Sequence, residues 1–442
     1  MAINGYLAKS SVVAALGGLL FGFDTAVIAG ATAALQKQYS LTDAALGVTV
    51  SAALVGTILG AMFGGIPGDR YGRRNSLRIT AVLYLISALG CAFAFDWYTF
   101  LAARFIGGLG IGASSVLGPM YIAEIAPARL RGRLVGFFQF NIVFGILLAY
   151  LSNYLIGTLG FGAVEWRWKL GVSGVPAALF LVMLFFIAES PRWLAKQGRV
   201  REAEEVLRST GDPNYRGDLN EIVRSVDEHI AAANEPFFSH KYRLPIFLAV
   251  SIGMFNQLSG INAILYYLND IFAKAGFSKV SSDLQSVAVG ATNLLFTVFA
   301  MSLIDRIGRK TLLLIGAVGM TAALGGTAAI FFAGAHQDLL VWCLVGFIAF
   351  FAFSQGAVIW VYLSEVFPTR VRAKGQSLGS FTHWAMNALI SGVFPVLAAR
   401  SGGVPFVFFA AMMVVQFFVV LAAYPETKGY SLEEMQRQLG IS

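Results

Sequence analysis

Charge is scarce in this chain: of its 442 residues, Lys, Arg, Asp and Glu together make up 13%, against 57% hydrophobic residues. Soluble domains keep about a quarter of their residues charged, so an ordinary water-soluble fold is excluded, and a mean hydropathy of +0.70 excludes it again. Cysteine is almost missing. The two present, Cys91 and Cys343, lie in separate apolar stretches in different halves, which excludes a disulfide scaffold and reads as two unpaired thiols. The four histidines, His229, His240, His336 and His383, are scattered without the spacing of a metal site. The chain has no nucleophile signature, no metal cluster, no phosphate loop and no ATP-binding domain. The reading is therefore of a protein that is not an enzyme, carries no cofactor and draws its energy from a gradient.

What the chain has instead is long apolar runs. A membrane-spanning helix needs about 20 predominantly apolar residues, and twelve runs qualify: 9–31, 44–66, 77–95, 98–122, 132–157, 170–188, 244–272, 283–304, 311–333, 339–363, 375–399 and 404–424. Lipid accepts apolar side chains around a whole helix, so the expected fold is an all-α membrane protein of twelve transmembrane helices. Lys9 gives the first run the charged start of a signal peptide, but the run is too long for one and more spans follow, so it remains as a helix.

The net charge of +8 resides in short loops, where it orients a membrane protein and argues against a nucleic-acid partner. Loops after the second, fourth, eighth and tenth runs hold Arg70, Arg73, Arg74, Arg129, Arg131, Arg133, Arg306, Arg309, Lys310, Arg370, Arg372 and Lys374. The alternate loops hold only Lys37, Arg167, Lys169, Lys274, Lys279 and Arg400. The positive-inside rule then makes the rich loops and both termini cytoplasmic. The one long loop, 189–243, falls on the same side, and its stretches 200–208 and 219–230 have charges at helical spacing, as short surface helices do. The domains expected are an N-terminal six-helix bundle over 1–188, a cytoplasmic linker over 189–243, a C-terminal six-helix bundle over 244–424 and a short cytoplasmic tail over 425–442.

Two motifs occur twice. Gly68-Asp-Arg-Tyr-Gly-Arg-Arg74 returns as Asp305-Arg-Ile-Gly-Arg-Lys310, with 236 residues from Asp69 to Asp305. Tyr121-Ile-Ala-Glu-Ile-Ala-Pro-Ala-Arg-Leu-Arg131 returns as Tyr362-Leu-Ser-Glu-Val-Phe-Pro-Thr-Arg-Val-Arg372, with 241 residues from Glu124 to Glu365. Near-equal offsets indicate one six-span unit duplicated in parallel, the arrangement of rocker-type secondary transporters, whose substrate binds near the midplane between the repeats. The charges in the motifs suit a cytoplasmic gate: Asp69, Arg73, Glu124, Arg131, Asp305, Arg309, Glu365 and Arg372 would pair bidentately as that side closes. The arginines serve topology equally well. The acidic members contribute little to topology and favour gating.

With these motifs in hand, nearly the whole chain resembles the sugar porter branch of the major facilitator superfamily. Glu189-Ser-Pro-Arg-Trp-Leu194, Gln257-Leu-Ser-Gly-Ile-Asn262 and Pro425-Glu-Thr-Lys-Gly429 add to the resemblance. It implies alternating access, a monosaccharide substrate and residence as a monomer in a bacterial inner (plasma) membrane.

Asp24 and Arg104 are ionisable groups inside predicted spans, where an unpaired charge is expensive and a functional role is the default. Asp24 lies about seven residues, or roughly 10 Å, from the outer end of its span, and Arg104 about six residues, or roughly 9 Å, so the depths match. A carboxylate that meets an arginine in one conformation and leaves it in another exchanges protons with the cycle, as a proton-coupled carrier requires. A static structural bridge is the other reading. The resemblance favours coupling, since proton symporters of the family have Asp here and passive uniporters usually an uncharged residue.

A sugar site needs amides that donate and accept together with an aromatic platform. Within apolar spans the chain offers Gln139, Asn256, Gln257, Asn262, Asn293 and Asn387, with Phe21, Trp360 and Trp384. A single amide in a membrane helix is more often interhelical glue. The resemblance nonetheless places Gln139, Gln257, Asn262, Asn293, Trp360, Trp384 and Asn387 at sugar-contacting positions. Asn256 stands where many members have a second Gln, Ile146 is similar to glucose-type porters, and His383 is similar to fructose porters, whereas Trp360 matches pyranose porters. His383 reads as a plain hydrogen-bond donor or as a group titrating near neutrality, with the former preferred. Tyr266 and Tyr267 form an outer gate in the family manner or, alternatively, an interfacial aromatic belt.

The leading expectation is thus a proton-coupled importer of a hexose such as glucose or fructose. A passive facilitator is the alternative in the same class. A non-transporting sensor is the alternative from another class, and the short stretch after Gly429 leaves little for signalling. Pentoses and polyols stay open as substrates.

Overall fold

A computed structural model of the chain describes residues 4–228, 237–368, 371–430 and 432–441. Among the described residues the regular structure is entirely helical. Eleven helices are long and apolar enough to cross a membrane: Gly5–Gly30, Asp43–Phe63, Arg73–Ala92, Trp97–Ile125, Arg129–Thr158, His240–Tyr266, Lys279–Ile304, Arg309–Ala333, Gln337–Glu365, Lys374–Arg400 and Val404–Ala423. The sixth apolar run, 170–188, carries the helix Gly174–Met183, and a short helix, Glu165–Gly171, leads into it from the preceding loop. Pro176 has no N–H to give the carbonyl of Val172, which removes one helical bond where the chain turns. The twelve-helix membrane fold expected from the apolar runs is the fold observed, with the seventh span further broken at Gly260, whose φ of +84° suits only glycine comfortably.

Two compact units divide the chain. The first comprises Met1–Asp24, Val55–Ile146 and Leu170–Glu235. Its core gathers Leu20, Leu77, Tyr84, Ile111, Leu117, Tyr121, Phe138 and Phe180. The first and fifth spans meet backbone to backbone here: a Cβ on Gly22 would lie 1.8 Å from the carbonyl oxygen of Ile142, and one on Gly145 2.1 Å from that of Leu19.

The second unit comprises Thr25–Leu54, Leu147–Lys169 and Pro236–Ser442. The far ends of the first, second and fifth spans therefore group with the second repeat, because packing and not chain order decides where contacts concentrate. A core of Leu248, Ile252, Leu312, Ile359, Tyr362, Phe367 and Tyr424 holds this unit. The short tail adds a helix, Leu432–Gln438, and buries Met435, Leu439 and Ile441 in that core.

The linker forms three helices, Pro191–Lys196, Val200–Ser209 and Tyr215–Glu228. Ser190 caps the first by accepting from the Trp193 N–H at 3.3 Å, and Pro191 follows at the position where a missing donor costs nothing. Leu194, Val206, Leu207, Leu219 and Ile222 close a small core beneath them. The two later helices cover the stretches read from charge spacing; His229 and residue 230 lie outside the described residues.

Candidate functional site

The first and fourth spans bring Asp24 and Arg104 into contact. Nη1 of Arg104 donates to Oδ1 of Asp24 at 2.9 Å and to Oδ2 at 3.0 Å, and the two side chains are only 4% and 11% exposed for Arg104 and Asp24 respectively. Nε of Arg104 is buried with no hydrogen-bond partner. Among the described residues, Asp24 is the carboxylate that pairs with this guanidinium. Nearby, the hydroxyls of Tyr84 and Ser114 bond each other at 2.8 Å, so the polar patch extends along the fourth span.

In the second unit, the break at Gly260 lets the seventh span present Asn256, Gln257 and Asn262 together. Gln257 Nε2 donates to Asn256 Oδ1 at 3.0 Å, and Asn262 Nδ2 donates to Gln257 Oε1 at 3.1 Å. His383 of the eleventh span lies 3.3 Å from the same Gln257 nitrogen. The His383 ring is flanked by Trp360 at 5.3 Å and Trp384 at 4.9 Å between centroids. Four residues along, Asn387 donates to the hydroxyl oxygen of Tyr266 at 3.2 Å and accepts from Ser391 at 3.1 Å. Asn293 is buried in the eighth span. Amides linked in this way hold one another in register and can exchange partners with a polyhydroxylated ligand, while Trp360, 39% exposed, offers a ring face.

The other residues read as sugar-contacting lie in the first unit. Gln139 and Phe21 are half-buried and Ile146 is buried, on the first and fifth spans that Gly22 and Gly145 bring close. Tyr266 and Tyr267 are both buried, in the second unit. Tyr267 donates to the Ser391 carbonyl at 3.0 Å and stacks on Phe394 at 5.2 Å, while Tyr150 of the fifth span donates to the carbonyl of Leu265 at 2.8 Å. These tyrosines are packed and hydrogen-bonded inside protein, which argues against the interfacial-belt reading.

The repeated motifs pair within each repeat. Arg73 reaches Glu124 through Nε at 3.0 Å and Nη2 at 3.0 Å, and Asp69 through Nη1 at 2.9 Å. Arg309 reaches Glu365 through Nη2 at 2.8 Å and Nε at 3.2 Å. The bidentate pairing expected from one repeat to the other is thus realised inside each repeat, because the third and ninth spans start beside the ends of the fourth and tenth. Arg131 donates to the Ala123 carbonyl and Arg372 to that of Phe367. The side chain of Asp305 and the whole of Arg370 lie outside the described residues.

Sequence reasoning missed what completes these clusters. Ser190 donates to Glu124, and Thr427 donates to Glu365 at 2.6 Å. Glu189 accepts the N–H of Arg74 at 2.9 Å, and Glu426 accepts those of Arg309 at 2.8 Å and Lys310 at 3.1 Å. The carboxylates fill the places a side chain would take on Gly72 (φ +92°) and Gly308 (φ +102°). The strings Glu189-Ser190 and Glu426-Thr427 were therefore a third repeat, legible as acid followed by hydroxyl.

Twelve spans built from two copies of one set of motifs define a major-facilitator carrier. The family model described as "Sugar (and other) transporter" matches residues 10–439. The D-xylose-proton symporter of Escherichia coli (strain K12) is 36% identical over 477 residues, covering 98% of this chain and 96% of that protein. The "Glucose transport protein" of Synechocystis sp. is 37% identical, covering 96% of each chain. The arabinose-proton symporter of Bacillus subtilis (strain 168) is 36% identical, covering 98% of this chain and 95% of its own. The inward open structure of the xylose transporter XylE from E. coli aligns with a TM-score of 0.88 at 35% identity, covering 98% of this chain and 100% of that one. The chain belongs to the sugar porter family of the major facilitator superfamily, and is an integral membrane transporter.

Proposed function

We propose that this protein imports a monosaccharide together with a proton by alternating access, as a monomer in a bacterial plasma membrane with both termini in the cytoplasm. The observation that carries the coupling is the Asp24–Arg104 pair. In the closed pair both oxygens of Asp24 receive Nη1 of Arg104, so the carboxylate and the guanidinium answer each other's charge. Putting a proton on Asp24 removes the charge that Arg104 answers and leaves a buried cation uncompensated, at a cost of about 3–5 kcal/mol. Protonation and separation of the pair therefore favour each other, which ties proton occupancy to the conformation of the first and fourth spans. The proton-symporter names of the relatives support the same reading.

The sugar is held by Gln257, Asn256, Asn262, Asn293 and Asn387, with Trp360, Trp384 and His383 as ring faces, and Phe21, Gln139 and Ile146 complete the residues assigned to it. Ile146 presents a hydrocarbon wall where a polar side chain would hold another hydroxyl, which suits the extra carbon of a hexose, and one relative is named for glucose. Relatives named for xylose and arabinose favour a pentose as the second reading. Asp69, Arg73, Glu124, Arg131, Asp305, Arg309, Glu365 and Arg372 act as the cytoplasmic gate, each cluster bracing the helix ends of its own repeat so that the repeats move as rigid pieces. Purified protein in liposomes should accumulate labelled D-glucose above equilibrium when the outside is acidified, and collapse of the gradient should release it. Equilibration without accumulation at any pH gradient would make the protein a facilitator. Accumulation of D-xylose in place of glucose would make it a pentose porter.

A further inference from the structure

Six side chains at the end of the bundle opposite the repeated Arg–Glu motifs form a continuous polar chain. Lys169 is fully buried, its Nζ 2.9 Å from Oε1 of Glu165 and 3.0 Å from Oδ2 of Asp283, whose side chain is 1% exposed. Lys279 donates to the other oxygen of Glu165 at 2.9 Å. Asn269 donates to Oδ1 of Asp283, and Ser286 donates to Oδ1 of Asn269 at 2.6 Å. Two anions and two cations balance, and the end of the fifth span abuts them: a Cβ on Gly157 would lie 2.8 Å from Oδ2 of Asp283. Of the two loop lysines at this end, Lys279 is exposed, whereas Lys169 has no solvent contact and its charge is met by carboxylates instead of water.

Sequence position sorts these bonds into two kinds. Glu165–Lys169 lies within the first repeat, and Asn269–Asp283 and Asn269–Ser286 lie within the second. Lys169–Asp283 and Lys279–Glu165 join one repeat to the other. If the two repeats part at this end, each buried group keeps one partner from its own side and gains water for the rest, so neither Lys169 nor Asp283 is stranded. A pairing that breaks without leaving an orphan charge suits a contact made and lost in every cycle better than a permanent strut.

We infer that Lys169–Asp283 and Glu165–Lys279 are a latch across the repeats that sets how often the end of the carrier opposite the Arg–Glu motifs opens. The inference rests on the alternating-access reading above. Ser51 supplies a reporter at the same end, where its hydroxyl donates to the Ala388 carbonyl at 3.0 Å and Gly47 abuts the Gly392 carbonyl.

The test uses the full chain with Cys91 and Cys343 replaced by Ala, Ser51→Cys introduced and uptake retained, labelled in intact cells by a membrane-impermeant maleimide. Lys169→Met and Asp283→Asn should each raise the labelling rate at least about tenfold, and the exchange Lys169→Asp with Asp283→Lys should return it to within about threefold of the parent. Lys279, 61% exposed, tolerates Lys279→Gln without risk to folding, and this change should raise the rate about threefold. Unchanged labelling in Lys279→Gln and in whichever buried variants fold would overturn the latch, as would an exchange variant that labels as fast as the single changes. The labelling needs neither sugar nor proton gradient. Its failure alongside intact gradient-driven uptake removes the latch alone, and the converse removes the symport reading alone.

Discussion

The hydroxyl of Thr427 donates at 2.6 Å to Oε2 of Glu365, the oxygen that also receives Nε of Arg309. Ser190 does the same for Glu124 in the first repeat. Each Arg–Glu pair is therefore tied to the chain that leaves its own six-span repeat, by a motif that lies just beyond the last span of that repeat. Thr427→Val keeps the shape and deletes the donor. A hydrogen bond to a charged acceptor is worth about 1.5–3 kcal/mol, so this variant should melt at lower temperature in detergent. Ser190→Ala should do likewise, and an unchanged melting temperature for both would leave the hydroxyls without a stabilising role.

Asp24→Asn keeps an acceptor for Arg104 and removes the proton site. Accumulation against a sugar gradient should be abolished, while counterflow exchange of labelled for unlabelled sugar continues at a rate within about tenfold of the parent, because exchange asks only for sugar-bound conformational change. Persistent pH-driven accumulation in this variant would remove Asp24 from the coupling.

Gln257 links the amides of the seventh span to His383, so its loss should be felt in sugar affinity ahead of stability. For Gln257→Ala the dissociation constant should rise about 10- to 100-fold, equivalent to about 1.4–2.8 kcal/mol, as read by calorimetry or tryptophan quenching with D-glucose and D-xylose. An unaltered affinity for every monosaccharide that binds the parent would exclude Gln257 from the site.

The carboxyl of Glu165 is held below its ordinary value: burial opposes its charge, but hydrogen bonds from Lys279 and Lys169 outweigh that penalty. A carboxyl with a depressed value in the folded state stabilises the protein above its unfolded value, and that contribution is lost as the pH falls through the folded value. The wild-type melting temperature should therefore drop more steeply than that of Glu165→Gln as the pH falls below 4.5, the ordinary carboxyl value. Parallel curves would show that this carboxyl does not contribute.

The sequence by itself determined the membrane class, the twelve spans, the parallel duplication and the family, because each follows from local composition or from strings that repeat at a fixed distance. It also singled out Asp24 and Arg104, since an ionisable residue in an apolar run stands out and helix rise converts position into depth. Only the tertiary structure decided who pairs with whom. Arg73 and Arg309 close on acids of their own repeats, Glu189 and Glu426 cap the helices that begin at Gly72 and Gly308, and Lys169 disappears into a cluster with Asp283. A one-residue charge in a loop looks the same in sequence whether water or a carboxylate from 114 positions away receives it; burial and partner are properties of packing, which brings together residues that no local pattern connects.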